Sequence, residues 1–138
     1  VLKCYNNTNQ KQKIMAVKFF KCNHCGNIVV KVVDHKVPVV CCGEKMTELE
    51  ANTVDASAEK HVPVVTRIDD CRIKVEIGSV AHPMTPEHHI AFIYVETEHG
   101  GQIINLDKEP QATFCICADR PVAVYEYCNL HGLWKTVL

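Results

Sequence analysis

Nine cysteines and eight histidines stand out in a chain of 138 residues, and the spacing of the first group already selects a chemistry. Cys22-Asn23-His24-Cys25-Gly26 is followed, after fifteen intervening residues, by Cys41-Cys42-Gly43. A Cys-x2-Cys turn brings two thiolates onto one ion while backbone amides of the turn donate to the sulfurs, and Gly26 supplies the backbone freedom such a knuckle needs. The second pair completes a tetrahedral four-sulfur shell, which suits iron or zinc. Neighbouring side chains on an extended strand point to opposite faces, so placing Cys41 and Cys42 on one ion demands a local bend. A zinc knuckle that only holds a small domain together satisfies the same spacing. A redox disulfide fits less well, because four converging thiols are a metal pattern.

A second group lies in the other half of the chain. It comprises Glu59-Lys60-His61-Val62-Pro63, Ala81-His82-Pro83-Met84, Glu87-His88-His89 and Cys128-Asn129-Leu130-His131-Gly132. Any one of these histidines alone reads as a structural residue. The set reads differently: Cys-x2-His is a ligand spacing in its own right, and prolines beside two of the histidines make rigid turns that fix an imidazole. A mixed imidazole and thiolate shell suits iron, copper or zinc rather than magnesium or calcium. Blue-copper carriers follow their late Cys and His with an axial Met; here no Met occurs after Met84, which weakens the copper reading.

Strands must position these residues. The chain has 19 Val and 10 Ile against 9 Ala and 6 Leu, and no stretch carries a sustained helical stripe, so the expected fold class is all-β. Residues 72–77 alternate charged and β-branched side chains at period two, the pattern of a strand with one wet and one buried face. Further strands are expected at 27–33, 89–96, 112–117 and 121–127, and short strands separated by Gly, Pro and Asp turns suggest a sandwich in the second half. The pattern lapses at 50–53, where the domain boundary is placed. The expected division is an extension at 1–14, a cysteine-rich domain at 15–50 and a histidine-rich domain at 51–138. Met15 is an alternative start of the native chain, and Cys4 has no evident partner. Cys71, Cys115 and Cys117 read as small buried apolar residues, with Cys115 and Cys117 on one face of a strand. Phe92 and Trp134 read as core or site wall.

A net charge of −1, with no basic run interleaved with aromatics, argues against a nucleic-acid partner. The longest apolar runs, such as 37–42, fall far short of a membrane span. Nine cysteines cannot all pair within one chain, and the amino-terminal run has neither the apolar core nor the cleavage site of a secretory signal. The expected compartment is therefore the reducing cytoplasm, where clustered cysteines bind metal or do redox chemistry.

Taken together and in this order, the motifs resemble the superoxide reductases, specifically the two-iron desulfoferrodoxin type, over about residues 18–135. The resemblance rests on the two cysteine pairs, Asn52-Thr53-Val54-Asp55-Ala56, Glu59 to Pro63, Gly78-Ser79-Val80-Ala81-His82-Pro83-Met84 and Tyr127 to Gly132. It implies a small desulforedoxin-like cysteine-knuckle domain followed by a neelaredoxin-like catalytic domain with an immunoglobulin-like β-sandwich, usually as a homodimer. It implies one iron on Cys22, Cys25, Cys41 and Cys42, and a catalytic iron with equatorial His61, His82, His88 and His131 and axial Cys128. His89 departs from the family, whose members usually carry an aromatic residue there; the spacing from His82 favours His88, and on a strand His89 would point the other way.

The activity implied is one-electron reduction of superoxide to hydrogen peroxide, with a rubredoxin-like electron donor. Five protein donors leave an octahedral ion one position for substrate. Lys60 would add positive charge beside His61 and steer the anion inward, though a solvated surface lysine is its plain reading. Glu59 resembles the family carboxylate that occupies the sixth position of the oxidised resting site. The four-Cys iron is accessory in the family. The competing classes are a non-catalytic electron carrier and a zinc-stabilised binding module, the latter colourless and redox silent.

Overall fold

A computed structural model describes residues 16–54, 56 and 58–138. The expectations for the extension, for Met15 and for Cys4 lie outside the described residues, as does Asp55. The first five strands are short: β1 (Phe19–Lys21), β2 (Ile28–Val30), β3 (Val40–Cys41), β4 (Glu44–Lys45) and β5 (Thr47–Glu48). β1 is the centre of an antiparallel sheet ordered β2-β1-β5, and β3 and β4 form a separate hairpin. A four-residue helix, α1 (Ala58–His61), leads into seven longer strands. These are β6 (Pro63–Arg67), β7 (Arg72–Ile77), β8 (Ile90–Thr97), β9 (Gly100–Asn105), β10 (Gln111–Cys115), β11 (Pro121–Cys128) and β12 (Gly132–Val137).

The seven pair into two antiparallel sheets, β10-β7-β6 and β12-β11-β8-β9, a three-on-four sandwich of the immunoglobulin-like kind. The all-β expectation is borne out. α1, β6, β9 and β12 had no counterpart in the pattern, because Pro63, the paired glycines of β9 and the loop-like Gly132 mask strand signals that tertiary pairing overrides.

β7 shows how the sequence builds the core. Its alternation buries Ile73, Val75 and Ile77 and leaves Arg72, Lys74 and Glu76 toward water, each buried aliphatic contributing about 1.5–3 kcal/mol of transfer free energy. Across the gap Ile90, Ile93, Val95 and Val124 complete the layer. The Thr136 hydroxyl donates to the Pro63 carbonyl at 2.7 Å and ties the edges of the two sheets together.

β11 is buried on both faces from Ala123 to Cys128. Its odd-numbered residues Ala123, Tyr125 and Tyr127 join Phe19, Phe92 and Leu133 in a second apolar cluster, while Val124 and Cys128 belong to the sandwich core. Phe19 is the plug: its ring centroid lies 5.6 Å from Phe92 and 5.5 Å from both Tyr94 and Tyr125. The cysteine-bearing unit thus covers the outer face of the four-stranded sheet. At the join, the Asn52 side chain donates to the Lys135 carbonyl at 3.2 Å and accepts from the Lys135 amide at 2.9 Å.

Three cysteines depart from expectation. Cys115 and Cys117 are exposed and Cys71 is half-buried. The period-two rule gives the reason: Phe114 and Ile116 point inward, so their odd-numbered neighbours face water. Phe92 and Trp134 are buried as expected.

Candidate metal centres

At the amino-terminal site the bend demanded by adjacent cysteines is present. Cys42 has φ 53° and Gly43 φ 77°, left-handed conformations that turn the second thiol back toward the first. Gly26 closes the Cys-x2-Cys knuckle at φ 82°. The Cys25 amide donates to the Cys22 sulfur at 3.4 Å and the Asn27 amide to the Cys25 sulfur at 3.5 Å. Cys25 and Cys41 sulfurs lie 3.6 Å apart, and all four thiols fall within 4.8 Å of one another. The Cys22 thiol is lowered to about 6, chiefly by the Cys25 amide, whereas its thiol neighbours Cys25 and Cys22 push Cys42 up to about 12. The Cys22 thiolate forms readily while Cys41 and Cys42 resist, a conflict that a bound cation relieves. The donor set fits iron or zinc.

The second site is assembled from a short helix, two loops and the end of one strand. His61 closes α1, which is held by backbone bonds from Val80 to the Glu59 carbonyl at 3.1 Å and from Gly78 to the Val62 carbonyl at 3.1 Å. Gly78, at φ 76°, is where the chain turns beneath this helix, and a Cβ there would lie 2.6 Å from the Glu59 carbonyl oxygen. Gly78→Ala is expected to cost about 1–3 kcal/mol and to lower metal occupancy at the histidine site, read from a urea midpoint together with metal analysis.

His82 and His88 come from the β7–β8 loop. The Thr85 and His88 amides donate to each other's carbonyls at 2.9 and 3.2 Å, a closed turn that projects His88. The His89 ring is turned away, its Nδ1–H donating to the Thr85 carbonyl at 3.0 Å. Cys128 ends β11 and His131 sits in the following turn. Asn129 ties the two loops together, accepting from the His89 amide at 2.8 Å and donating to the Glu87 carbonyl at 3.0 Å.

The four imidazoles form a ring. Successive centroids, His61–His82–His88–His131 and back to His61, are 4.8, 4.5, 5.0 and 4.8 Å apart, and the His61–His88 diagonal is 6.5 Å. The ratio of diagonal to side is close to that of a square. The Cys128 sulfur lies 3.6 Å from His82 Nε2 and 3.8 Å from His131 Nδ1. All five donors fall within 4.8 Å of one another. Glu59 and Lys60 are exposed on α1.

Two of the rings, His82 and His61, are oriented from behind. His82 Nδ1–H donates to the Pro83 carbonyl at 2.7 Å, which leaves Nε2 bare. Trp134 stacks on His61 at 5.0 Å with an interplanar angle of 13° and donates from its indole nitrogen to the His131 carbonyl at 3.1 Å. Burial, and then the other imidazoles and Lys60, lower His61 to about 4. Burial also lowers His82 and His88 and raises the Cys128 thiol, against the pull of the His131 and Leu130 amides. His61, His82 and His88 are therefore neutral at pH 7, the form that ligates. His88 Nε2 is buried with no hydrogen-bond partner, an orphan that a metal would satisfy. Five such donors fit iron.

Glu126 is the residue that pattern reasoning missed. It is fully buried, with Oε1 3.4 Å from His61 Nδ1, and burial pushes its carboxyl up to about 9. Acid and imidazole are both neutral at pH 7, so this is a contact between uncharged partners rather than an ion pair. The signal was in the sequence: Glu126 is the one charged residue in β11 and shares the inward parity of Cys128. Its proton linkage is testable. With an ordinary value of 4.5, the unfolded chain ionises first, so the stability present below pH 4.5 is lost as pH rises toward 9. Glu126→Gln removes that slope. In the metal-free chain, the stability of the variant relative to the unsubstituted protein is expected to rise by roughly 1–3 kcal/mol between pH 5 and pH 8, read from urea midpoints.

A third cluster, Glu98, His99 and Asp119, is open to solvent, and its charges are met by the His99–Asp119 and Arg120–Glu98 pairs at 3.1 and 3.5 Å.

The desulfoferrodoxin family model matches residues 53–137. The chain belongs to the desulfoferrodoxin family. The desulfoferrodoxin homologue of Archaeoglobus fulgidus is 42% identical over 123 residues, covering 87% of this chain and 96% of that protein. The desulfoferrodoxin of Nitratidesulfovibrio vulgaris is 43% identical over 120 residues, covering 86% and 94%. Among solved structures, the crystal structure of the superoxide reductase from Treponema pallidum superposes with a TM-score of 0.74 at 38% identity, covering 88% of this chain and 99% of that one. As a desulfoferrodoxin, the chain carries both candidate iron sites, the four-Cys cluster and the four-His, one-Cys group. No helix among the described residues is long and apolar enough to cross a membrane.

Proposed function

We infer that this chain is a superoxide reductase, converting superoxide to hydrogen peroxide with one electron and two protons. The observation that carries this is the square of His61, His82, His88 and His131 with the Cys128 sulfur against two of its corners. Relatives named desulfoferrodoxin and the likeness to a superoxide reductase structure support it. A ferrous iron held by these five donors would supply the electron, and the five leave room for an anionic substrate to reach it.

The chain's own residues do the rest. His61, His82, His88 and His131 would hold the ion, and Cys128, the one anionic donor among the five, would raise its electron-donating power. Trp134 and the Pro83 carbonyl fix the His61 and His82 rings, so the donor set does not reorganise during turnover. Lys60 is close enough to the site to depress His61, His82 and His88, and the same field attracts a small anion. Lys60→Ala is expected to slow the bimolecular reaction with superoxide several-fold and to flatten its ionic-strength dependence, measured by pulse radiolysis. Glu59 would supply a carboxylate to the oxidised ion, the role that the family resemblance implies.

Cys22, Cys25, Cys41 and Cys42 hold a second iron, accessory to turnover, and a rubredoxin-like protein returns the electron. The division of the chain at residue 50 separates these two centres. The protein works in the cytoplasm, consistent with the eight free cysteines among the described residues. It pairs with a second copy, and the exposed Val32, Val33 and Val37 give the amino-terminal unit an apolar face suited to that.

The deciding experiment is metal content and visible spectra of protein purified without oxygen. Two irons per chain are expected, one with a red four-thiolate spectrum and one with a separate long-wavelength thiolate band appearing on oxidation. Zinc or copper in a metal-replete preparation, or no second band, overturns the reading.

A further inference from the structure

The exposed cysteines at the far end of the sandwich have no part in either metal centre. Cys71 lies at the tip of the β6–β7 hairpin, in a turn whose shape is set by Asp69: its Oδ1 accepts from the Cys71 and Arg72 amides at 2.9 and 2.8 Å. β10 runs alongside, with Cys115 opposite Arg72. The ladder continues one step past the strand, where the Ile116 amide donates to the Cys71 carbonyl at 2.7 Å. Cys117 follows, in a turn closed by the Asp119 amide on the Ile116 carbonyl at 3.2 Å and bent by Ala118 at φ 64°. Two backbones are thus pinned side by side, with Cys117 next to the residue that bonds Cys71, near enough that its thiol raises that of Cys71. Both are free thiols, Cys71 half-buried and Cys117 exposed.

We propose that Cys71 and Cys117 form a peroxide-sensitive dithiol that closes to a disulfide, at a site separate from both metal centres. β7 separates it from the histidine site: Cys71 precedes the strand and Gly78, packed under Lys60, follows it, and six residues of strand span about 20 Å. The contact with Cys117, then burial, then the Asp69 and Asp70 carboxylates hold the proton on Cys71. The exposed Cys117 is therefore the thiol that peroxide meets first, and Cys71 the one that resolves it.

The chemistry balances. The Cys117 sulfur attacks one oxygen of hydrogen peroxide; an S–O bond forms, the O–O bond breaks, and hydroxide leaves and takes up a proton as water. The Cys71 sulfur then attacks the Cys117 sulfur; the S–S bond forms, the S–O bond breaks, and the released hydroxide takes the Cys71 proton as a second water. The two thiols lose two electrons and the peroxide gains two. In the cell the oxidant would be the product of the reaction proposed above, and only its source rests on that reading. The crosslink ties the hairpin tip to the end of β10 and closes the chain between residues 71 and 117, so it restricts the unfolded state.

The test uses added hydrogen peroxide on the iron-loaded full chain without oxygen, so it stands whether or not superoxide is the substrate. After treatment with one to a few equivalents, free thiols are alkylated and the digested peptides weighed. The expected result is a pair of peptides joined through Cys71 and Cys117, lighter by two hydrogens than their sum and separated by a dithiol reductant, with Cys115 alkylated. The oxidised protein is expected to melt about 5–10 °C higher than the reduced one. In C71S, Cys117 is expected to be trapped by a 1,3-dione as the sulfenic acid; in C117S, Cys71 stays reduced and superoxide reduction is unchanged. Full alkylation of both residues after the peroxide is consumed overturns the proposal, as does either residue joined to any other cysteine or to a second copy. Because the linkage is read in the unsubstituted protein, a variant that fails to fold leaves the decision intact.

Discussion

Cys128→Ser is expected to abolish the long-wavelength thiolate band and to reduce superoxide turnover by at least about 100-fold, since even partners behind a ligand are worth 10–100-fold. Cys128 is fully buried at the end of β11, 3.6 Å from His82 Nε2. Serine fills nearly the same volume, and its hydroxyl finds an imidazole partner there, so folding survives. What is lost is the anionic donor: four neutral imidazoles remain, and the ion they hold gives up an electron less readily. The red spectrum of the four-Cys centre is expected to persist, because its thiols belong to a different unit. Anaerobic spectra and superoxide kinetics on the same preparation check both halves, and retained turnover would count against Cys128 as a ligand.

Phe19→Ala carries the largest expected stability effect. Phe19 is 1% exposed and touches Phe92, Tyr94 and Tyr125; removing such a ring costs about 3–5 kcal/mol. The loss falls on the seam between the cysteine-bearing unit and the four-stranded sheet. Phe19 packs with Tyr125 and Tyr127, while Cys128 faces the interior. In a denaturant titration followed at each iron's absorption, the four-Cys signal is expected to be lost at clearly lower denaturant, with the histidine site shifted less. Coincident transitions with no change in midpoint would show that the ring does not hold the two units together.

Much of the histidine site was legible because ligand chemistry restricts residue type. Cys-x2-Cys, Cys-x2-His and histidines beside prolines are short patterns whose meaning survives without neighbours. The alternation in 72–77 likewise predicted the burial of Ile73, Val75 and Ile77, since the period of a strand is a property of the backbone. The choice of His88 over His89 rested on spacing and strand alternation, whereas in the structure His89 is turned to the Thr85 carbonyl in a loop.

Other features had no local signature. Cys115 and Cys117 do share a face, but which face met the core depended on the register of β10 with β7. Glu126 and Trp134 act on His61 through contacts between residues more than sixty positions apart, which no local pattern encodes. The pattern at 121–127 predicted a strand but not its burial; that both faces of β11 are covered follows from Phe19 folding back onto it.

By itself the sequence determined the donors, their order along the chain and the β character of what carries them, because residue chemistry and backbone period are local properties. Only the tertiary structure decided that four imidazoles close into a square with a thiol beside it, that a buried acid stands behind His61, and that Cys115 and Cys117, expected in the core, face water. Those outcomes depend on register and on sheet-to-sheet packing, where a shift of one residue exchanges inside for outside.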